Sequence, residues 1–160
     1  MKVLSVSELE SQSRHFVESL SSVLIGEDWT SLDGKTIGTG VELLFKDFLV
    51  SRGFHFVSGN AASGLDFPEL LVDVKVSRDK KPQHSCPFRS IEQKVYGLGY
   101  GLLLFTYGRE PGENGIRMKK VRYIPREETS DRRVTTRLHA LLSSGADFRD
   151  IQMFLSGVFS

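Results

Sequence analysis

With 160 residues, the chain is long enough to fold as a single domain around a real hydrophobic core, and its balance of 21 Lys and Arg against 20 Asp and Glu argues against a protein that coats polyanions through charge alone. Its single Cys excludes an internal disulfide framework and is typical of a reducing compartment. Because the sequence has neither an apolar run of membrane-spanning length nor a signal-peptide pattern, we expect a cytoplasmic protein with no membrane contact.

The first third of the sequence predicts two helices. Ser7 and Glu10 have the spacing of a capping box, and apolar residues then recur at helical intervals, so the first helix is expected to end near Gly26. A polar, turn-rich loop follows. The second helix is predicted over residues 39–52, where an apolar stripe ends before Gly53.

Glu42 lies beside the apolar stripe of the second helix, and two roles are open to it. Thr39 and Glu42 are spaced as a capping box, which would make the glutamate structural. The same side chain could instead face a functional site, and one glutamate can serve both purposes. On local grounds the cap is favoured.

The centre of the sequence carries the pattern around which the chain is organised. A strand is predicted over residues 54–57, followed by a loop and a hairpin over residues 66–76. Because side chains alternate along a strand, Asp73 and Lys75 share one face while the neighbouring valines point to the core. Asp66 is expected at the turn end of the facing arm. Two such carboxylates need a counter-cation, and with a backbone carbonyl they form an all-oxygen site suited to Mg²⁺.

The second half of the sequence predicts a helix, two strands and a closing pair of helices. Pro87 can open a helix whose apolar stripe ends in a run of glycines. Residues 102–107 are typical of a strand buried on both faces, and residues 116–124 predict a basic strand. Two amphipathic helices are expected over residues 135–143 and 147–155. This order predicts an α/β fold with a central mixed β-sheet flanked by helices and a C-terminal helix pair.

Charge is distributed unevenly along the chain. Residues 1–33 carry two basic and six acidic side chains, whereas residues 75–94 carry six basic and two acidic ones. Residues 117–137 carry eight basic and three acidic side chains. Positive charge therefore begins where the carboxylate pattern ends, which suits a site whose substrate is a phosphate backbone.

A helix glutamate, an acid at a turn, the run Asp73-Val74-Lys75 and a following helix that carries Gln93 together resemble the PD-(D/E)XK nuclease superfamily. The resemblance extends from the second helix to the apolar strand, although Leu65 stands where the superfamily motif has its proline. The tail, TTRLHALLSSGADFRDIQMFL, is similar to the C-terminal region of some type II restriction endonucleases. The closest likeness is therefore to a type II restriction endonuclease with a restriction-endonuclease-like core.

The resemblance implies a Mg²⁺-dependent DNA endonuclease, with Mn²⁺ as a substitute. Asp66 and Asp73, with the backbone carbonyl of Val74, would hold the ion against the scissile phosphate. Lys75 would hydrogen-bond the attacking water and stabilise the developing negative charge. Glu42 would position a water or a second metal ion.

The same resemblance implies double-stranded DNA as the substrate and a homodimer as the acting species, because two-fold symmetry matches a palindromic duplex. It implies one nuclease domain over residues 1–160, with a catalytic core at about 39–124 and the helix pair at about 134–157. The side chains expected to contact DNA are Gln93, Arg78, Lys80, Lys81, Arg89, Lys119, Arg132 and Arg133.

Several alternatives stay open at this point. Asp73 and Lys75 could form a solvent-facing pair of little energetic value, and the paired basic residues could lie in solvated loops. The closing helices could read DNA, complete the core or form a dimer face. A Holliday-junction resolvase or a repair nickase would share the same core. A catalytically silent, nuclease-like subunit would bind DNA without cutting it.

Overall fold

A computed structural model describes residues 1–26, 29, 32–59, 64–80 and 88–158 of the chain. Its helices are α1 (Val6–Leu20), α2 (Gly34–Ser51), α3 (Ile91–Tyr96), α4 (Arg132–Ser143) and α5 (Phe148–Ser156). Its strands are β1 (Lys2–Val3), β2 (Phe54–His55), β3 (Val72–Arg78), β4 (Gly101–Gly108) and β5 (Arg117–Ile124). Contacts divide the chain into two compact units, Met1–His84 with Leu102–Ile124 and Ser85–Gly101 with Pro125–Ser160. The organisation as one domain stays a prediction.

Helix α1 begins earlier than the sequence predicted. Ser5 is its N-cap, and the Ser5 hydroxyl accepts a hydrogen bond from the backbone N–H of Glu8 at 3.1 Å. The predicted cap at Ser7 is therefore wrong, and the helix ends at Leu20 rather than Gly26. The reason is local degeneracy, since Ser5 and Glu8 have the same capping spacing as the predicted pair.

Helix α2 also begins earlier, and this removes the capping role for Glu42. Asp33 is the N-cap, and its carboxylate accepts a hydrogen bond from the N–H of Thr36 at 2.8 Å. Thr39 thus lies inside the helix, where its hydroxyl donates to the carbonyl of Lys35. The predicted cap at Thr39 is wrong because Asp33, six residues upstream, already caps the start of the helix.

Both parallel and antiparallel strand pairs occur, and helices pack on the strands. Strand β1, which the sequence did not predict, pairs in parallel with β2, and the predicted strand over 54–57 is confirmed only at its first two residues. The other strands have the order β3-β4-β5, with β4 and β5 antiparallel. One face of β4 is buried and the other is half-buried. The predicted α/β class with a mixed sheet flanked by helices is confirmed.

The predicted hairpin over residues 66–76 takes a different form. Asp66 is followed by a short 3₁₀ helix, Pro68–Leu70, and by Leu71 at a left-handed φ of 53°. Among the described residues, the pairing across this bend is an isolated antiparallel bridge between Phe67 and Val72. We call residues 66–71 the acid turn. Strand β3 starts only where the acid turn ends.

An aromatic cluster in the first unit fixes α2 against the sheet and the acid turn. The ring of Phe45 on α2 lies 5.3 Å from Phe16, 5.1 Å from Phe105 and 6.2 Å from Phe67, all centroid to centroid and edge to face. Such edge-to-face contacts add to the energy of apolar burial. Because Phe67 directly follows Asp66, burial of its ring anchors the acid turn next to the helix that carries Glu42.

The second unit contains α3, α4 and α5. The hydroxyl of Ser90 caps α3 at 3.2 Å from the N–H of Gln93, and Gly97 ends it at a positive φ that glycine adopts freely. The predicted helix start at Pro87 lies outside the described residues. The predicted C-terminal helix pair is confirmed, with Asp131 and Asp147 as the N-caps of its two helices.

None of the described helices is both long and apolar enough to cross a membrane.

Candidate active site

The acid turn carries the Asp66 carboxylate to the edge of β3. Asp66 Oδ2 accepts a hydrogen bond from the backbone N–H of Val74 at 2.7 Å, and the Asp66 carbonyl accepts another from the N–H of Gly59 at 2.9 Å. The buried ring of Phe67 and its bridge to Val72 hold the next residue in place. The turn therefore fixes this carboxylate from both sides.

Strand β3 presents Asp73 and Lys75 on one face, as the alternation of the sequence predicted. Lys75 Nζ lies 2.9 Å from Asp73 Oδ2, with side-chain exposures of 49% for the lysine and 11% for the aspartate. Val72 and Val74 on the other face are buried in the core. Because Asp73 is buried, the alternative of a fully solvent-facing pair is wrong, and the partly exposed ammonium of Lys75 is the part of the pair that solvent or a ligand can reach.

Helix α2 adds a third carboxylate and a second ammonium. Asp66 is in side-chain hydrogen-bonding contact with both Asp73 and Glu42. Glu42 Oε1 in turn accepts a hydrogen bond from Lys46 Nζ at 2.8 Å. We call Glu42, Asp66 and Asp73 the acid cluster. It joins residues from α2, the acid turn and β3.

Lys46 is the residue of this site that the sequence analysis missed. Its spacing of one helical turn from Glu42 was visible and is typical of a helix-surface ion pair. Its burial was not visible, because it depends on the ring of Phe67, whose centroid lies 5.5 Å from Lys46 Nζ. No local pattern distinguishes a buried pair of this kind from an exposed one.

Burial and contact with two other carboxyl groups raise the pKa of Asp66 to about 8. Burial is the main cause, followed by the hydrogen bonds with Asp73 and then Glu42, while the N–H donated by Val74 acts in the opposite direction. At neutral pH, Asp66 therefore holds a proton, which it donates within the acid cluster. The other two acidic side chains each pair with a lysine, Glu42 with Lys46 and Asp73 with Lys75.

The donor chemistry of the acid cluster suits a hard divalent cation. Within the described ranges, no group of three or more His, Cys, Asp and Glu side chains forms a metal-ligand set as it stands. However, the carboxyl groups of Asp66 and Asp73 are in side-chain contact. A divalent cation favours the ionised form of such groups, and carboxylate oxygens are the ligands that Mg²⁺ prefers.

The side chains predicted to contact DNA are divided between the two units. In the first unit, Arg78 ends β3, Lys119 is exposed on β5, and Lys80 Nζ lies 4.0 Å from a carboxylate oxygen of Glu110. Lys81 lies outside the described residues. Of the DNA contacts predicted in the first unit, Lys80 therefore already interacts with a carboxylate of the protein.

In the second unit, the predicted contacts lie on α3 and α4. Gln93 Oε1 accepts a hydrogen bond from the N–H of Arg89 at 2.6 Å, so the glutamine oxygen is engaged at the start of its own helix. Arg132 and Arg133 are exposed at the start of α4 and line an open groove together with Arg137. The groove face of α4 is therefore strongly basic.

Comparison with known proteins shows the family of the chain. The profile of the type II restriction enzyme NspV family matches residues 3–158. The chain is also 40% identical, over 128 residues, to the type II restriction enzyme NspV of Nostoc sp.. That match covers 78% of the chain and 58% of the relative, so the chain spans somewhat more than half the length of the relative. Comparison with solved structures found no significant match.

An acid turn facing an Asp-x-Lys strand, next to a helix glutamate, is the arrangement of the restriction-endonuclease class to which the sequence was likened. The chain belongs to the type II restriction enzyme NspV family.

The raised pKa of Asp66 predicts how stability changes with pH. In the absence of divalent ions, folding favours the protonated carboxyl, and this contribution is lost as pH rises from 3.8, the ordinary pKa, to about 8, the folded-state pKa. Asp66→Asn mimics the protonated form and can still accept the N–H of Val74. We therefore expect thermal unfolding in EDTA to show the variant gaining stability relative to the wild type between pH 5 and pH 8.5.

A Mg²⁺ titration at pH 8.5 is the matched control for this measurement. The wild type should gain stability from the ion and the variant should gain less, because the amide is a poorer ligand than a carboxylate. A stability difference that stays constant from pH 5 to pH 8.5 in EDTA would contradict the assignment of the proton to Asp66.

Proposed function

We propose that this chain supplies the catalytic centre of a Mg²⁺-dependent endonuclease that hydrolyses phosphodiester bonds in double-stranded DNA at a short specific site, as a type II restriction enzyme. The observation that carries the proposal is that the Asp66 carboxyl group, bound at the edge of β3, contacts Asp73, which in turn pairs with Lys75. Family membership supports the restriction type over a junction resolvase or a repair nickase with the same core.

The proposed roles follow from the position of each group. Asp66 and Asp73, with the backbone carbonyl of Val74, would hold Mg²⁺; Mn²⁺ is a substitute with the same ligand preference. When bound, the ion neutralises charge on the phosphate and lowers the pKa of a bound water. Lys75, half exposed and paired with Asp73, would hydrogen-bond the attacking water and stabilise negative charge as it develops. Glu42 would orient a water from the side of α2.

Phosphodiester hydrolysis is the chemistry that such a set of side chains serves. The reaction needs charge stabilisation and alignment of the nucleophile more than a covalent intermediate. A buried carboxylate next to a partly exposed ammonium provides, in the same site, a fixed ligand and a hydrogen-bond donor that solvent can reach. A silent DNA-binding subunit would not need a carboxyl group whose pKa is raised by burial and by contact with other carboxyl groups.

Cleavage by site variants is the experiment that tests the enzyme assignment. Asp73→Asn and Lys75→Met should each slow single-turnover cleavage by about 100-fold or more, the usual effect of removing one group that stabilises transition-state charge. DNA binding measured in Ca²⁺ should persist. Glu69→Gln, which alters an exposed carboxylate in the same acid turn, is the matched control and should cleave like the wild type.

The substrate for this experiment is genomic DNA, with sequencing of the ends produced. Cut ends that share one short sequence support a restriction enzyme, whereas preferential cutting of a four-way junction supports the resolvase alternative. Binding of DNA by the wild type with no cutting in Mg²⁺ would support a silent subunit and sink the proposed activity.

We propose that the basic face of α4 contacts the DNA backbone. Arg132, Arg133 and Arg137 line one groove, and no ion pair engages them among the described residues. Each phosphate contact releases counterions, so its loss lowers the slope of log K against log salt concentration by about 0.9. Arg132→Ala combined with Arg137→Ala should lower the slope by up to twice that amount, measured as DNA binding between low and moderate salt.

Arg14→Ala is the matched control for the salt series. Arg14 is an exposed arginine of α1 that already pairs with Glu10 at 3.2 Å, so its loss should leave the salt slope unchanged. Equal slopes for the α4 double variant and the wild type would exclude α4 from the phosphate contacts.

We propose that the acting species is a homodimer, since one active site cuts one strand and a two-fold axis matches a palindromic duplex. Sedimentation equilibrium with and without DNA in Ca²⁺ measures this, and we expect two chains for each duplex site. A single chain per site under both conditions would contradict the dimer.

A further inference from the structure

Two lysines contact the acid cluster, and their environments differ. The side chain of Lys75 is 49% exposed, whereas that of Lys46 is only 9% exposed. Lys46 Nζ donates to Glu42 Oε1 at 2.8 Å and lies 5.5 Å from the centroid of the Phe67 ring. The first lysine can reach solvent and substrate, while the second is held between a carboxylate and an aromatic face.

Packing alone does not account for a lysine at this position. Taking an ammonium out of water is costly, and only close partners offset that cost. A methionine has a similar length and would fill the same space without a charge to desolvate. The contact of Lys46 with Glu42 therefore explains why a charged side chain is buried at this position.

The position of Lys46 Nζ conflicts with a second metal ion bound through Glu42. An ion at that carboxylate would lie within a few ångströms of the ammonium, and two cations would repel each other strongly in a half-buried site. The ammonium already supplies the positive charge that Glu42 needs. The Lys46 ammonium thus occupies the position next to Glu42 that a second metal ion would need.

The charge of the cluster leads to the same result. Once a bound ion displaces the Asp66 proton, the three carboxylates and the ammonium groups of Lys46 and Lys75 together carry one net negative charge. One divalent ion changes this to one net positive charge, which matches one scissile phosphate. A second divalent ion would leave two further positive charges without a partner.

We propose that Lys46 is a positioning residue that takes the place of a second cation at Glu42, so that the acid cluster binds one divalent ion, through Asp66 and Asp73. This inference rests on the proposed function for the presence of that ion. It assigns Glu42 to orienting water rather than to metal binding. Removing the Lys46 charge leaves Glu42 free to act as a ligand and opens the cluster to a second ion.

Counting bound Mn²⁺ tests the inference without measuring activity. Electron paramagnetic resonance titration at neutral pH should show one Mn²⁺ lost when Asp73→Asn is compared with the wild type. Lys46→Met should bind one Mn²⁺ more than the wild type, with the spin-coupled signal of two neighbouring ions. Lys46→Arg should restore the wild-type count, and the double variant Glu42→Gln with Lys46→Met should lack the extra ion.

These outcomes separate the inference from the proposed function. A wild type that shows two coupled Mn²⁺ ions in the cluster overturns the inference and needs no variant that might fold poorly. A folded Lys46→Met protein that still binds a single ion also overturns it, while leaving the metal site of the proposed nuclease in place. A wild type that loses no ion on Asp73→Asn overturns both.

Discussion

The hydrogen bond from the backbone N–H of Val74 to the Asp66 carboxylate is the interaction on which the site depends. Strand β3 ends the described order β3-β4-β5, so one row of its backbone groups has no strand to pair with. Such an edge needs covering. The acid turn covers it with a carboxylate in place of a backbone carbonyl, at 2.7 Å. The same contact that satisfies the edge places the Asp66 carboxyl group next to Asp73.

The aromatic core transmits this placement to α2. Phe67, next to Asp66, packs against Phe45, which directly precedes Lys46 on the helix. The relative position of the acid turn and the glutamate–lysine pair is therefore set by ring packing rather than by polar contacts. Because closely packed interiors do not deform gradually, carboxylates that repel one another stay in contact. Burial of Asp66, together with these contacts to Asp73 and Glu42, raises its pKa.

Much of this fold and site was predictable from the sequence, because its strongest patterns are local. The alternation that places Asp73 and Lys75 on one face needs only the strand period, and the α/β order needs only periodicity and glycine positions. Capping was predicted poorly, because Ser5 and Asp33 compete with equally spaced neighbours for the same helix ends. The burial of Lys46 could not be predicted, because it comes from a ring in a different segment.

The wrong capping prediction for Glu42 shows how a local sequence pattern differs from the three-dimensional surroundings of a side chain. A capping box is a pattern within four consecutive residues, so any nearby Ser, Thr or Asp offers a competing cap. The role of a side chain in a site depends instead on which side chains of other elements face it. With α2 starting at Gly34, Glu42 has no helix terminus to satisfy, and its evident constraints are the ion pair with Lys46 and the contact with Asp66. The contact with Asp66 comes from a different segment of the chain, so no pattern local to α2 could indicate it.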